Sequence, residues 1–380
     1  MEYVRLKDIG QIITGNTPPT SKPEYYGDYM PFIKATDIPI GVKCTLVTEQ
    51  SYSKLAAEKY KKSLVPKGST CVVTIGSIGK KMTYAHTDLF VNQAINAIVP
   101  KDSYDNEYIF YNVRCSVLPQ LKKLDSGTTS GRENISKTSF SSIRIPVIRD
   151  KNVQRRIGVI LSTYDSLIEN NTKRIRLLEK MAENLYKEWF VRFRFPGHEK
   201  VKMVNGLPKG WKYVNFGKLS PIVTGKKDAN FASPNGKYKF FTCSKADLMA
   251  DSYSFDCFAI ILAGNGDLNV KLYKGQFEAY QRTYVLTPYD ISHIYISYYT
   301  IQSELDRLLV GAAGAVIKFL TKGMIEKIKI VVPDQSLLRK FNIMLDANFK
   351  IRQNLIAQNT LLARQRDLLL PRLMSGKLEV

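Results

Sequence analysis

The sequence predicts an α+β protein with two similar globular domains separated by two long helices, which pair antiparallel as an intramolecular coiled coil. Three observations predict this fold. A set of motifs occurs twice in the same order, a heptad pattern follows each set, and basic residues are spread over both halves. Together they indicate an internal duplication with a pseudo-twofold relation between the halves.

The repeated motifs begin near the start of each half. Residues 3–15 match residues 213–225, because their apolar positions coincide and both segments end in Thr-Gly. An apolar run then meets a Gly-rich turn in each half, at residues 72–79 and 260–266. The remaining pairs keep the same order, type and approximate spacing: residues 32–38 with 241–248, 91–100 with 279–288, 127–131 with 311–315, and 143–146 with 330–333. Chance is a poor explanation for such a series.

A heptad seam follows Pro146, with spacings that alternate between three and four residues, as in a coiled coil. Its members are Leu161, Tyr164, Ile168, Asn171, Ile175, Leu178, Ala182, Leu185 and Trp189. Asn171 is the polar member, a residue type that usually fixes the register of the pairing at some cost in stability.

A weaker seam follows Pro333, because three charged or amide residues interrupt it. Its members are Leu338, Phe341, Leu345, Asn348, Arg352, Leu355, Asn359, Leu362, Arg366 and Leu369. An alternative stripe through Phe349 and Ile356 stays open. Each seam could pair with a separate chain, but the duplication favours pairing of the two seams with each other.

The breakers Pro196-Gly197, Pro371 and Ser375-Gly376 are expected to end the two helices. The predicted domains are residues 1–150 (first globular domain), 151–195 (first helix), 196–207 (linker), 208–333 (second globular domain) and 334–376 (second helix and tail). From Leu161 to Trp189 a helix rises about 42 Å. That length is comparable to one turn of duplex DNA, roughly 34–36 Å.

The composition favours a polyanionic partner. Lysine and arginine exceed the acidic residues by 22, and nucleic acid is the commonest partner of such a surface. A basic surface without a partner is the alternative. The N-terminus has no signal-peptide core, no apolar run is long enough to span a membrane, and the five cysteines form no Cys-x-x-Cys pair. We therefore expect a cytoplasmic protein that does not bind membranes.

Motifs for catalysis, metals and cofactors do not stand out. His86, His198 and His293 have no metal-ligand spacing to a cysteine or to one another. Residues 76–81 have the wrong spacing for a phosphate-binding loop, and residues 16–20 have the wrong order for an amino-methyltransferase motif. The sequence therefore predicts a chain that is not catalytic by itself and holds no metal or cofactor.

Several strings together resemble the specificity (S) subunits of type I restriction-modification systems. They are the repeated segment ending in Thr-Gly, residues 207–212 (Leu-Pro-Lys-Gly-Trp-Lys), the strand-proline-helix junctions, residues 178–190, and residues 366–376. The last string is the most specific. The first half departs from the pattern, since it lacks the Leu-Pro-x-Gly-Trp string and begins almost at its first strand.

The resemblance implies two target-recognition domains, each of which reads one half of a bipartite DNA site. It implies that the helices form a ruler for the unread spacer and dock the methyltransferase and restriction (motor) subunits of an adenine-N6 methyltransferase and endonuclease complex. S-adenosylmethionine, ATP and magnesium would belong to those partners. The two halves have diverged, which suggests an asymmetric site.

Polar and basic residues in the turns between strands are the candidate DNA contacts, because loops vary without disturbing a scaffold. Lysine and arginine suit phosphates, and amide and hydroxyl groups suit base edges in the major groove. The first-domain candidates are Asn16, Thr17, Lys34, Thr36, Ser77, Lys80, Asn92, Gln93, Thr128, Thr129, Ser130, Arg132 and Asn134. The second-domain candidates are Lys226, Lys227, Ser244, Lys245, Asn265, Tyr280, Gln281 and Arg282. The structural alternative for each is a solvated turn residue or a cap.

The glycines of these turns are expected at positive φ; they are Gly15, Gly127, Gly225 and Gly311. Two other classes of function stay open. A helical assembly scaffold that binds DNA non-specifically would explain the seams, but not the duplicated basic domains. A nuclease with a scattered site is the second rival.

Overall fold

The structure is a computed structural model that describes residues 1–124, 133–311 and 319–380. The chain divides into two compact units. The first unit comprises Met1–Lys173 and Leu355–Val380, and the second comprises Arg174–Asn354. Both long helices contribute to both units, and each unit is described separately below.

The first unit contains short strands connected by turns and short helices. Its strands are β1 (Glu2–Arg5), β2 (Gly10–Thr14), β3 (Tyr26–Gly27), β4 (Met30–Ile33), β5 (Gln50–Tyr52), β6 (Thr70–Val73), β7 (Met82–Tyr84), β8 (Phe90–Val91), β9 (Ile95–Pro100) and β10 (Arg144–Val147). Its helices are α1 (Leu6–Ile9), α2 (Lys54–Lys59), α3 (Asn106–Asn112), α4 (Leu118–Leu121), α5 (Lys137–Ser142) and the first part of α6 (Lys151–Tyr186). A π-helical turn (Val113–Val117) connects α3 to α4.

Two sheets form the body of the first unit. One has the strand order β2-β9-β6-β7, and the other has the order β3-β5-β4-β8, in which β4 and β8 are parallel. Strand β1 pairs separately with β10. Apolar residues alternate along these strands and fill a core between the sheets, to which Ile33, Val73 and Val91 belong. A second core lies between the first sheet and the helices.

The second unit repeats this plan with longer central strands. Its strands are β11 (Met203–Val204), β12 (Leu207–Pro208), β13 (Lys212–Asn215), β14 (Ile222–Thr224), β15 (Tyr238–Phe241), β16 (Leu248–Ala250), β17 (Phe255–Ala263), β18 (Val270–Ala279), β19 (Thr283–Leu286) and β20 (Lys329–Val332). Its helices are the last part of α6, α7 (Ile294–Gly311), α8 (Lys322–Glu326) and the first part of α9 (Gln335–Met374), whose last part belongs to the first unit. The strands β14-β19-β17-β18-β15-β16 form one sheet.

The strand pairings confirm the predicted duplication. Strand β1 pairs antiparallel with β10 in the first unit, and β13 pairs with β20 in the same way in the second. The parallel pair β4–β8 recurs as β15–β18, and the antiparallel pair β2–β9 recurs as β14–β19. The α+β fold class with two similar domains is therefore confirmed.

Helices α6 and α9 contact each other in antiparallel orientation within the first unit. Asn171 donates a hydrogen bond to Gln358 at 3.3 Å, while Asp165 contacts Arg366, so residue numbers fall along one helix as they rise along the other. The same orientation holds within the second unit, where Asn348 donates to the carbonyl of Leu178 and Phe341 packs on Trp189.

The residues of both heptad seams are buried or half-buried at these contacts. Ile356 of the alternative stripe is exposed. The interrupting residues of the second seam make polar contacts across the interface: Arg352 binds Glu179 at 2.5 Å, and Asn359 donates to the hydroxyl of Thr172 at 3.3 Å. The seam is therefore continuous and does not shift.

The helices end differently from the prediction. Pro371 does not end α9, which continues to Met374 and stops at Ser375-Gly376, where Gly376 has φ +67°. A proline removes one backbone hydrogen bond, and the burial of Leu370, Leu373 and Met374 in the first unit's core offsets that loss. The α-helical part of α6 ends at Tyr186, and a π-helical turn follows it to Val191. Both end before the predicted breaker, Pro196-Gly197.

Two of the strings that carry the family resemblance, residues 207–212 and 366–376, have structural roles. In the second unit, Trp211 stacks on Phe195 with ring centroids 4.9 Å apart and packs against Phe190. Gly210 precedes it with φ +91°, a conformation that favours glycine. The Leu-Pro-Lys-Gly-Trp string thus anchors the linker to the helices, and the C-terminal string completes the core of the first unit.

A buried ion pair sits on the helix interface of the first unit. The side chains of Asp165 and Arg366 are each 3% exposed, and the hydroxyl of Tyr111 donates to Asp165 at 2.5 Å. Burial would lower the pKa of Arg366, but its contacts with Asp367 and Asp165 raise that pKa above its ordinary value. Asp150 and Asp334 directly precede the two helices, so Asp165 corresponds to Phe349, and Arg366 to Ala182. The matching position of the second unit is therefore apolar.

Replacing one member of this pair should destabilise the chain strongly. Asp165→Leu or Arg366→Met leaves a buried charge without its partner, which typically costs about 3–5 kcal/mol. The double variant should be more stable than either single variant, because apolar replacements of buried pairs are often neutral. Urea unfolding followed by far-UV circular dichroism measures all three. Glu179→Gln, at a more exposed pair, is the control and should cost about 1 kcal/mol or less. A double variant that loses the sum of both single effects would contradict this account.

Candidate nucleic-acid interface

The predicted contact loops of the first unit meet at one edge of its sheets. Because β4 and β8 are parallel, Lys34 and Asn92 follow their carboxyl ends side by side, and the amide of Asn92 donates to the carbonyl of Ile33 at 3.0 Å. The amide of Asn16 donates to the carbonyl of Val91 at 3.0 Å, which brings the end of β2 to the same place. Three separate segments of the sequence thus form one surface.

Side chains connect these loops directly. The hydroxyl of Thr17 donates to the amide oxygen of Gln93. Lys34 forms an ion pair with Glu49 at 2.5 Å, so part of its charge is neutralised. Thr36 is exposed in the turn that starts at Lys34. The side chains of Thr17 and Gln93 are exposed, and they carry a hydroxyl and an amide, groups that can read base edges.

A second group of loops joins the same edge through the backbone. The amide of Thr74 donates to the carbonyl of Ala94 at 2.8 Å, and Ile75 forms a bridge with Asn134. Ser77 and Lys80 are exposed in the turn that follows. The predicted residues Thr128, Thr129, Ser130 and Arg132 lie outside the described residues, as do Gly127 and residues 312–315.

The second unit brings its candidates together in the equivalent way. Because β15 and β18 are parallel, the amide of Tyr280 donates to the carbonyl of Phe241 at 2.9 Å, as Asn92 does to Ile33 in the first unit. The amide of Gln281 donates to the carbonyl of Lys227, and the amide of Gly264 donates to the carbonyl of Arg282, both at 2.9 Å. Asn265 bridges to Phe319. The loops after β14, β15, β17 and β18 therefore share one surface.

The charged residues of this surface are partly paired. Lys226, Ser244, Lys245, Gln281 and Arg282 are exposed. The ammonium of Lys227 lies 4.4 Å from the ring centroid of Phe231. The side-chain amide of Gln281 donates to the carboxylate of Asp228 at 3.3 Å. Exposed arginine and lysine groups beside amides match the chemistry of phosphate and base contacts.

Two positioning residues were missed by the sequence analysis. Asn96 is buried; it accepts a hydrogen bond from Thr14 at 2.6 Å and donates to Thr74 at 2.8 Å, which fixes the loops after β2 and β6. Its position within an apolar strand was a signal that could have found it. Asp247 binds Lys239 and Lys271 at 2.6 and 2.8 Å. Burial would raise the pKa of Asp247, but these two lysines lower it below its ordinary value.

The prediction of positive φ at Gly15 and Gly225 is wrong, and Gly311 is the last residue of α7. The two former glycines are required by close backbone approach. A Cβ on Gly15 would lie 2.0 Å from the carbonyl oxygen of Val91, and one on Gly225 would lie 1.9 Å from that of Ala279. The same contact occurs at matching positions of both units, so it is part of the duplicated scaffold.

Metal-binding clusters and reactive thiols are two features of catalytic sites, and the described residues bear on both. Within residues 1–124, 133–311 and 319–380, no three His, Cys, Asp or Glu side chains are placed to hold a metal ion. Burial raises the pKa of the Cys71 thiol to about 12, and burial with Glu169 nearby does the same for Cys44. Neither thiol is therefore ionised at neutral pH. Among the described residues, the helices do not include one that is both long and apolar enough for a membrane span.

Comparisons with known proteins agree with this architecture. Residues 1–180 match the model of the type I restriction modification DNA specificity domain. The type I restriction enzyme MjaIX specificity subunit of Methanocaldococcus jannaschii is 26% identical over 99% of this chain and 93% of its own length. The EcoDI specificity subunit of Escherichia coli is 35% identical over 45% of this chain and 39% of its own length.

The chain is thus similar to type I specificity subunits over nearly its whole length. A crystal structure of the S subunit of a type I restriction-modification system from M. genitalium has the same fold, with a TM-score of 0.61 at 17% identity. The alignment covers 98% of this chain and 95% of that one. The family model matches residues 1–180, and the MjaIX relative extends the similarity to the second half of the chain.

Alanine at either close-approach glycine should destabilise this protein. The added Cβ of Gly15→Ala or Gly225→Ala must push two backbone segments apart, and overpacking of this kind typically costs about 1–3 kcal/mol. The urea midpoint from far-UV circular dichroism should fall for both variants. Gly323→Ala is the matched control, because its Cβ would meet open space, and its midpoint should stay or rise. Unchanged midpoints for both scaffold variants would refute this role.

Proposed function

We propose that this chain is the sequence-specific DNA-binding subunit of a type I restriction-modification complex. Each unit reads one half of a bipartite, asymmetric site through its loop surface. The observation that carries the proposal is the recurrence of that surface in both units. Asn92 and Tyr280 follow matching strands, and each lies beside exposed amide, hydroxyl and basic side chains. The similarity to type I specificity subunits and the net charge of +22 support DNA as the ligand.

The paired helices would keep the two readers a set distance apart and dock the methyltransferase and restriction subunits. The chain would itself perform no chemistry, and S-adenosylmethionine, ATP and magnesium would bind to those partners in the cytoplasm. The unlike loops of the two units support unlike half-sites. The assembly-scaffold alternative accounts for the helices, but it gives no reason for two matching polar loop surfaces.

Binding of duplex DNA should depend steeply on salt. If roughly six to ten phosphates are neutralised, the affinity should fall about 10³- to 10⁵-fold between 50 and 200 mM salt, because bound counterions are released. Fluorescence anisotropy with a labelled duplex measures this at each salt concentration. An affinity that does not change with salt would remove electrostatic DNA binding from the proposal.

Loop substitutions in the second unit should weaken recognition of one half-site. Gln281→Ala and Arg282→Ala are each expected to cost about 1–3 kcal/mol of discrimination at bases of that half-site. Duplexes altered in one half-site or the other, tested against each variant, locate the loss. Arg339→Ala, an exposed arginine of α9, is the matched control. Equal losses at both half-sites would contradict modular recognition.

Methylome sequencing of the host with and without the gene identifies the site for these duplexes. Incubation of the purified chain with such a duplex and magnesium separates the reader from the nuclease alternative. Binding without cleavage supports the reader, and cleavage would support the enzyme.

A further inference from the structure

A basic groove runs along β2 of the first unit, outside the loop surface described above. It has a volume of about 940 Å³ and is lined by β2, by residues 58–63 after β5, and by Lys137 at the start of α5. Four lysines line it: Lys59, Lys61, Lys62 and Lys137. Among the described lining residues, Glu58 is the single acidic group. The groove therefore carries a net positive charge.

The ammonium groups of this groove are available to a ligand. Lys61, Lys62 and Lys137 are exposed, and within the described part of the chain none of them has a carboxylate within 4 Å. The ammonium of Lys59 donates a hydrogen bond to the hydroxyl of Tyr25 at 2.5 Å. That bond leaves the charge of Lys59 in place, because the partner is neutral.

A rigid support holds the lysines. Tyr60 lies between them in sequence and packs on Tyr25 and Tyr52, with ring centroids 6.0 and 5.9 Å apart. Tyr52 is fully buried and donates to the carbonyl of Asn16 at 2.9 Å. The segment that carries Lys61 and Lys62 is thus fixed against the residue that begins the loop surface, which lowers the entropy lost when a ligand binds.

The groove and the loop surface are continuous at Asn16, which lines the groove and follows β2 at the loop edge. If the bases of a DNA strand contact Asn16 and Thr17, the phosphate backbone of that strand would follow the groove. Lysine is a compact point charge that suits a phosphate but carries no information about the base.

The described part of the second unit has no counterpart of the segment that carries Lys59, Lys61 and Lys62. In the first unit, residues 53–69 join β5 to β6 and include α2 and Lys61–Ser63. The matching strands of the second unit, β16 and β17, are joined by residues 251–254, Asp-Ser-Tyr-Ser, which contain no basic side chain. The duplication therefore accounts for Lys137, which matches Lys322 at the start of α8, but not for Lys59, Lys61 and Lys62, whose segment belongs to the first unit alone.

We propose that the groove binds the phosphate backbone of duplex DNA next to the bases that the first unit reads. This inference rests on the proposed function. It makes the DNA contact asymmetric: the first unit binds more phosphates than the second and extends its contact beyond its own half-site.

The test uses the full-length chain with Lys61→Gln, Lys62→Gln and Lys137→Gln combined. The matched control combines Lys7→Gln, Lys101→Gln and Lys151→Gln, three exposed lysines of the same unit. Lys7 and Lys101 adjoin the opposite end of β2, where Gly10 pairs with Pro100. Both variants lose the same charge. The probes are a 30-base-pair duplex carrying the sequence methylated in the host and a duplex of scrambled sequence.

The groove variant should lower the slope of log K against log salt by about 2 to 3, since each lost phosphate contact removes about 0.9. It should do so on both duplexes, while the ratio of specific to scrambled affinity stays within about threefold, because phosphate contacts carry no sequence information. The control should lower the slope by less than about 1. Ethylation of phosphates should interfere with binding farther out on the first unit's side.

A groove variant with the slope of the control would overturn the inference. So would a loss confined to the specific duplex, since the lysines would then read sequence. If the unaltered chain binds both duplexes equally, the proposed function fails instead, and the salt slopes on the scrambled duplex still decide whether the groove binds phosphates.

Discussion

The antiparallel contact between α6 and α9 closes the hydrophobic core of each unit, and the rest of the fold depends on it. In the first unit, Ile157 and Leu161 of α6 meet Leu370 and Leu373 of α9 in one core. In the second unit, Tyr186 of α6 joins residues of α9 around a cluster of aromatic rings. Neither core is complete without a helix segment from the other half of the sequence. Folding of each recognition unit is therefore coupled to pairing of the helices.

The two ends of this helix pair have different chemistry. The first unit places an ion pair, Asp165 with Arg366, where the second unit has Phe349 and Ala182. A buried ion pair contributes little net stability compared with apolar packing, but a mismatched buried charge is expensive. In a pairing that brought two copies of the first half together, Asp165 would face Ala182 and lose its partner. The asymmetry thus favours pairing of unlike halves, as Asn171 favours one register.

Much of this architecture could be predicted from the sequence, because repeated motifs and heptad spacing can be recognised in the order of the residues alone. The parallel pairing of β4 with β8 and the burial of Arg366 could not, since both depend on contacts between segments far apart in the chain. The turns that form the loop surfaces could be found from the sequence, but the reason for Gly15, which is backbone contact, could not. The lysine groove could not be found from the sequence either. Lys137 lies far in sequence from Lys61 and Lys62, and only the folded chain brings them to one groove.

The aromatic cluster around Trp211 has an optical consequence. The chain has two tryptophans, Trp189 and Trp211, and both belong to the core of the second unit. Indole fluorescence from the intact molecule therefore reports on the second unit, while the first unit contributes weaker tyrosine fluorescence. An experimenter who excites the indoles of this chain observes the second unit alone, without attaching a dye.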